Sequence, residues 1–410
     1  MLSCVFAGMC LHKVGREMAI IVGLVLILLQ QFGLYQLTYF EDKRAFLFWS
    51  FASQMVGGLG SGVNAVASMA MVVSISKSRE REQNIGLIEM ATGVGFLLGP
   101  IWGSLMYQWG GFSYPFASTT LLYAVSYPFM VVILWNARKR RLERELEISG
   151  FQGGDAHDYS DREGSATLRY DDIQMKHLVC IPRFIFGLIS QILVTSSIQF
   201  MAPTYSIHMQ KFGFSPAFIG LSFAVPGVIY ATLSPLMYLF TEKLPKRAVI
   251  LLGILLMSVG MFFVGTSRTL GLENSPIMII VGLCIIGAAA GMISIPVLPE
   301  MLEAIEEKKD RNYNLEELNN YISGIFVTMT GVGEFIGPVL GSTLNHKYGF
   351  REAQDIYANI IIVFAILYFL SVGNLRIFIR TAKERQSTPS VPQKHVELES
   401  EMYETGDTKK

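Results

Sequence analysis

The chain has 410 residues, 51% of them hydrophobic and 16% charged, and its 33 basic and 33 acidic residues cancel. A soluble domain carries about 25% charged residues, so the composition excludes an ordinary water-soluble globule and points to a chain solvated by lipid. Zero net charge gives no ground for a nucleic-acid partner.

A bilayer core is crossed by about 20 apolar residues in a helix. Stretches nearly free of Asp, Glu, Lys and Arg run over 18–40, 45–76, 84–107, 112–137, 177–205, 212–240, 248–267, 274–299, 318–345 and 356–375. They predict an all-α membrane protein with about ten full transmembrane helices. Ahead of them, the stub MLSCVFAGMCL is too short to span and lacks the basic start of a signal peptide. It reads as the tail of a helix whose beginning lies outside the sequence. Between the fourth and fifth stretches, residues 138–176 hold 17 charges in 39 residues and open with RKRRLERELE, the composition of a solvated connector. The expected organisation is an incomplete N-terminal bundle over 1–137, a cytoplasmic connector over 138–176, a C-terminal six-helix bundle over 177–380 and a disordered cytoplasmic tail over 381–410.

Loop charges set the orientation. With the connector taken as cytoplasmic, its side collects eleven basic residues from the short loops, among them Lys77, Arg79, Lys246 and Lys308, against six on the other side. That bias follows the positive-inside rule.

The phrase GVGFLLGPIWGSLMYQWGGF, from Gly93 to Phe112, returns as GVGEFIGPVLGSTLNHKYGF from Gly331 to Phe350, with 9 of 20 positions identical. Such a match marks an internal duplication, and each copy falls in the outer part of a helix and its closing turn. In lipid, glycines at four-residue spacing let helix backbones approach closely, and a proline loosens the helix where it falls. Close helix contacts are therefore expected at Gly95, Gly99, Pro100 and Gly103, and again at Gly333, Gly337, Pro338 and Gly341. GLGSG, from Gly58 to Gly62, lies inside an apolar stretch with no strand before it, which excludes a phosphate loop.

Together with Ser104 and Ser342, these glycines and prolines resemble the antiporter motif of the major facilitator superfamily, GxxxGPxxGG on its fifth helix, here repeated on the eleventh. GMCLHKVGRE, from Gly8 to Glu17, is similar to that family's loop between helices two and three, with His12 where Asp is usual. QMVGGLGSG, from Gln54 to Gly62, is similar to its fourth-helix Arg-x-x-x-Gly-x-Gly, with Gln54 in place of the Arg. A narrower resemblance, to the vesicular amine transporter group and its polyamine-transporting branch, is carried by IGLIEMATGVGFLLGPIWGSLMYQWGGFSYPF, GAAAGMISIPVLPEML and YISGIFVTMTGVGEFIGPVLGSTL. The resemblance implies two pseudo-symmetric six-helix bundles, with helix one and part of helix two missing here. It also associates the fourth-helix Arg with proton coupling, so Gln54 counts against proton antiport.

An ionised side chain at mid-bilayer costs at least ~2.5 kcal/mol and is usually kept for a task. Three fall inside the apolar stretches: Glu89 in the family's fifth helix, Glu334 near the middle of the eleventh, and Arg183 near the start of the seventh, close enough to the cytoplasm to snorkel. A carboxyl kept out of bulk water can hold a proton or pair with a cation, which is what exchange requires. Glu89 and Glu334 are accordingly the candidates for substrate and proton coupling, against a purely structural bond to a neighbouring helix. Ring faces attract ammonium groups, which adds Tyr205 and Tyr230, with Tyr321 and Phe326 behind them. Asn64 and Gln199, like Gln191, Thr195 and Ser196, are polar enough to wet a cavity or to bond between helices. Glu300, after Pro299, reads as an interface residue.

No enzyme reading stands. The six histidines lack metal-ligand spacing, the four cysteines form no motif, and neither a nucleophile elbow nor a phosphate loop occurs; no cofactor or metal is expected. The sequence supports a secondary active transporter of small organic cations, amines or polyamines, with the lipid bilayer and protons as its other partners, in a vesicular or plasma membrane. The alternative is a non-transporting relative that serves as an interaction or regulatory membrane protein, which the missing helix, Gln54 and His12 favour.

Overall fold

A computed structural model describes Cys4, Leu11, Ile173 and residues 14–76, 81–154, 175–307 and 313–372. Among the described residues all regular structure is helical, and ten helices are long and apolar enough to cross a membrane. The N-terminal half contains α1 (Arg16–Tyr35), α2 (Lys43–Ile75), α3 (Arg81–Gly110) and α4 (Ser113–Gly154). The C-terminal half contains α5 (Pro182–Phe200), α6 (Val225–Leu233), α7 (Lys246–Val264), α8 (Pro276–Glu306), α9 (Leu315–Tyr348) and α10 (Phe350–Val372). Helices suit this solvent because each satisfies its own backbone polar groups.

The sixth span is broken. It begins as Pro216–Phe223, continues as α6, passes through a 3-10 turn at Ser234–Leu236 and ends as Met237–Lys243. Pro226 and Pro235 lack the N–H that a continuous helix would use, and their rings crowd the preceding turn. Elsewhere the ends are well defined. Asp42 caps α2 by accepting from the backbone N–H groups of Arg44 and Ala45 at 3.2 and 3.4 Å. Pro182 and Pro276 open α5 and α8, where a missing N–H costs nothing. Gly111 and Gly349 occupy the same place in the two copies of the repeated phrase, with φ of +73° and +87°. Their N–H groups reach back to the carbonyls of Tyr107 and Asn345 at 2.8 and 2.9 Å, a left-handed helix end that favours glycine.

Three helix edges differ from the sequence expectation. α8 runs through Pro296 and Pro299 to Glu306, and α10 already begins at Phe350; acidic residues at both ends are buried and partnered there instead of being left in loops. α4 stays helical through Gly154, into the expected connector, whose first stretch is rich in the helix formers Arg, Glu and Leu. Residues 155–172 of that connector, the tail and most of the stub lie outside the described residues.

The larger core belongs to the C-terminal half, where Phe184, Met257, Leu283, Ile293, Ile322 and Tyr357 are buried together. A smaller core gathers Ile20, Val66, Ala70 and Leu134 in the N-terminal half. The halves meet where α3 packs on α6 and α8, and where α2 packs on α9. Met69 and Val73 of α2 join the larger core, and Val327 of α9 leans on the smaller one. At the same end of the molecule, Arg16 donates from Nε to Oδ1 of Asn320 at 2.8 Å, from one half to the other.

Candidate functional site

The contact between α3 and α6 is a seam between the halves. Gly86, Glu89 and Gly93 follow one another at three- and four-residue spacing and share one face of α3. A Cβ on Gly86 would lie 2.5 Å from the carbonyl oxygen of Ser234, and one on Gly93 would lie 2.9 Å from Cβ of Ala231 and 3.1 Å from the carbonyl oxygen of Gly227. With no side chains at these two positions, the backbones come close enough for the Tyr230 hydroxyl to donate to Oε2 of Glu89 at 2.8 Å. The Tyr230 ring rests on α8, where a Cβ on Gly291 would lie 3.9 Å from its Cδ2. Ser294, also on α8, provides a second hydroxyl beside the phenol. A carboxyl of one half is thus bonded to a phenol of the other.

A charged cluster lies toward the start of α3. Lys246 pairs with Glu82 at 2.6 Å and also with Glu303; the first pair crosses between the halves and the second stays in one. Arg183 pairs with Glu300 at 2.7 Å and with Glu307, and Arg247 approaches Glu300 at 3.2 Å. Arg183 therefore does not simply reach for water, because two carboxylates hold it. Glu82 is 5% and Glu300 3% exposed, and such buried carboxylates are tolerable only because cations face them.

The remaining candidates are placed apart from this seam. Tyr205 is buried in the C-terminal half, and its hydroxyl is 2.7 Å from that of Ser222. Gln199 lies on the face of α5 that meets α9, its Cβ 3.0 Å from where a Cβ on Gly337 would stand. Asn64 lines the crossing of α2 with Gly23 of α1, and its Oδ1 is buried without a hydrogen-bond partner among the described residues. Glu334 is exposed on α9. Of the six candidate coupling residues, only Glu89 and Tyr230 are brought into contact. Glu89 and Glu334 are also not the only acids inside helices. Glu300 and Asp355 are buried within α8 and α10, and Oδ2 of Asp355 accepts from Ser267 and Thr269 at 2.9 and 3.2 Å. In sequence Glu300 reads as an interface residue and Asp355 does not stand out, so burial rather than spacing was the missing signal.

The two copies of the repeated phrase behave differently. In the second copy a Cβ on Gly333 would lie 2.5 Å from the carbonyl oxygen of Ile192, one on Gly337 would lie 2.6 Å from that of Ser196, and one on Gly341 would collide with that of Phe200. α9 and α5 are in backbone contact along this stripe, and Pro338 sits inside α9 without breaking it. In the first copy, Gly95, Gly99 and Gly103 have no described atom within 4 Å of such a Cβ. The close contact expected around Gly95, Gly99, Pro100 and Gly103 is absent among the described residues, because no described helix lies against those glycines as α5 lies against α9. At the fourth-helix signature, Oε1 of Gln54 accepts from Nε2 of Gln30 at 2.8 Å. A neutral amide pair stands where an Arg was the pattern.

The family model described as Major Facilitator Superfamily matches residues 1–208 and 184–403. The chain is 27% identical over 364 residues to the MFS-type transporter SLC18B1 of Rattus norvegicus, covering 86% of this chain and 71% of that protein. It is 23% identical over 365 residues to the chromaffin granule amine transporter of Rattus norvegicus, covering 88% and 61%. Multidrug resistance protein 2 of Bacillus subtilis is 24% identical over 348 residues, covering 83% and 75%. Among solved structures, the human organic anion transporter MFSD10 (TETRAN) superposes with a TM-score of 0.65 at 16% identity, over 90% of this chain and 80% of that one. The proton:xylose symporter XylE superposes with a TM-score of 0.60 at 16% identity, over 91% and 84%. With ten apolar helices in two halves, and a family model that matches both of them, this multi-pass integral membrane protein belongs to the Major Facilitator Superfamily.

Proposed function

We propose that the protein is a secondary active transporter of small organic cations, of the amine or polyamine kind, that works by alternating access with proton exchange. The observation that carries this reading is the bond from Tyr230 of one half to Glu89 of the other, inside the seam between them. A carboxyl can hold a proton or pair with an ammonium group, and the two exclude each other. The adjacent ring offers an electron-rich face to the same cation. Because carboxyl and phenol belong to different halves, whatever occupies the carboxyl acts on whether the halves stay together. The likeness to an amine transporter supports a cationic substrate.

The test is uptake of labelled spermidine into proteoliposomes under a pH gradient, with exchange between the two sides measured separately. Glu89→Gln is expected to abolish gradient-driven uptake and to leave exchange partly intact. Full gradient-driven uptake by this variant removes Glu89 from the mechanism. A second reading, a non-transporting membrane protein that binds a partner, is favoured by the Gln54–Gln30 pair. Folded chain that moves no amine in either assay would select it.

A further inference from the structure

The bond between Glu89 and Tyr230 stands where the halves have to part. We infer that Tyr230 is a positioning residue that ties the occupancy of Glu89 to the opening of the seam, an inference that rests on the reading of Glu89 as the carboxyl that takes up a proton or a cation. Gly93 against α6 and Gly86 against the 3-10 turn that follows it, a turn to either side of Glu89, hold the sixth span on α3 at backbone distance. Between these two grips the phenol supplies the one side-chain hydrogen bond to Glu89 found among the described residues. A hydrogen bond to a carboxylate is about twice as strong as one to a neutral acceptor, so the charge on Glu89 sets the strength of the latch. An ammonium group that pairs with Glu89 competes with the phenol for the same oxygens.

The phenol also has somewhere to go. Ser294 of its own half stands beside it, so opening the seam does not strand a polar group in an apolar setting. The Ser234 hydroxyl, which donates to the carbonyl of Tyr230 at 2.7 Å, stands beside the phenol as well. Other titratable groups on the helices that pack on α3 lie away from Glu89 in sequence register. They are Arg81, Glu82 and Tyr107 on α3 itself, Tyr238, Glu242 and Lys243 after the break in the sixth span, Cys284, Glu300, Glu303 and Glu306 on α8, Lys43 and Arg44 on α2, and Tyr114, Tyr123, Tyr127, Arg138 and Lys139 on α4. Tyr230 alone among them reaches the carboxyl.

The experiment reads seam opening directly. Ser234, 0% exposed and packed on Gly86, is replaced by Cys in the full chain whose own four cysteines are changed to Ser. Labelling by a membrane-impermeant maleimide is followed from the side that carries Arg81 and Lys246, with and without spermidine. In the Tyr230 background, labelling is expected to be slow and to speed up with spermidine. Tyr230→Phe should raise the basal rate about tenfold, the equivalent of about 1.4 kcal/mol, and should abolish the response to spermidine. Glu89→Asp keeps the carboxyl but shortens its reach, so it should label like Tyr230→Phe even if the latter fails to fold. Parent-like rates with an intact spermidine response, in either variant that folds, would overturn the latch. That outcome is independent of the Glu89→Gln uptake assay, whose failure would remove the coupling role itself.

Discussion

Gly337 and Ser196 are in backbone contact: a Cβ on the first would lie 2.6 Å from the carbonyl oxygen of the second, whereas Gly99, the repeat partner of Gly337, faces open space among the described residues. Overpacking a filled contact costs about 1–3 kcal/mol. Gly337→Leu is therefore expected to push α9 off α5 and to lower the thermal stability of the detergent-purified protein markedly, while Gly99→Leu leaves it near that of the parent. Equal losses from both substitutions would show that a helix also covers Gly99.

The two intramembrane acids of the repeat helices should separate by variant. At Glu89, Glu→Asp is expected to keep part of the gradient-driven amine uptake that Glu→Gln loses, because a carboxyl remains. At a purely structural Glu the order reverses, since Gln replaces a hydrogen-bonded neutral Glu nearly silently while Asp loses the contact. Glu334 is exposed on α9 and has no place in the seam, so Glu334→Gln is expected to transport like the parent. Uptake by the double Glu→Gln variant at the parent rate would exclude both residues.

Lys246 is the cation of a cross-half pair whose carboxylate, Glu82, is 5% exposed. Removing one member of a buried pair costs about 3–5 kcal/mol, whereas replacing both with apolar residues is often close to neutral. Lys246→Met should thus unfold at a lower temperature than Lys246→Met combined with Glu82→Leu. Glu303, its side chain 42% exposed, loses Lys246 in both variants, so the comparison isolates Glu82. A single variant as stable as the double would show that the pair carries no weight in the closed seam.

Topology is open to a direct check. Loop charges predict residue 160 on the cytoplasmic side, so Ser160→Cys in sealed, oriented vesicles should react only with reagent on that side. Reaction from the opposite face would invert the orientation of every helix.

Much of this was legible in the sequence because lipid imposes simple rules. Apolar runs located all ten helices but not every edge, and Gly111 and Gly349 announced two equivalent turns. Glu89 stood out by its charge alone. What was hidden depends on which face each helix turns toward its neighbour. Nothing in the matched phrases GVGFLLGP and GVGEFIGP reveals that one is clasped by α5 and the other is not. Equally, Tyr230 was one aromatic ring among many until α6 was seen to bring it to Glu89. Asp355 did not stand out, and Glu300 read only as an interface residue, because their partners, Ser267 and Thr269 for the first and Arg183 and Arg247 for the second, come from distant parts of the chain.

The 3-10 turn at Ser234–Leu236 falls at the point where Gly86 presses on the sixth span. A straight rod gripped there would carry any tilt from its Phe218 end through to its Lys243 end. A rod cut at that point carries little of it. The piece bearing Tyr230 can therefore swing while Lys246, just beyond Met237–Lys243, stays paired with Glu82. If the halves alternate as proposed, they then part in two steps, tooth after tooth as a zip does, instead of in one.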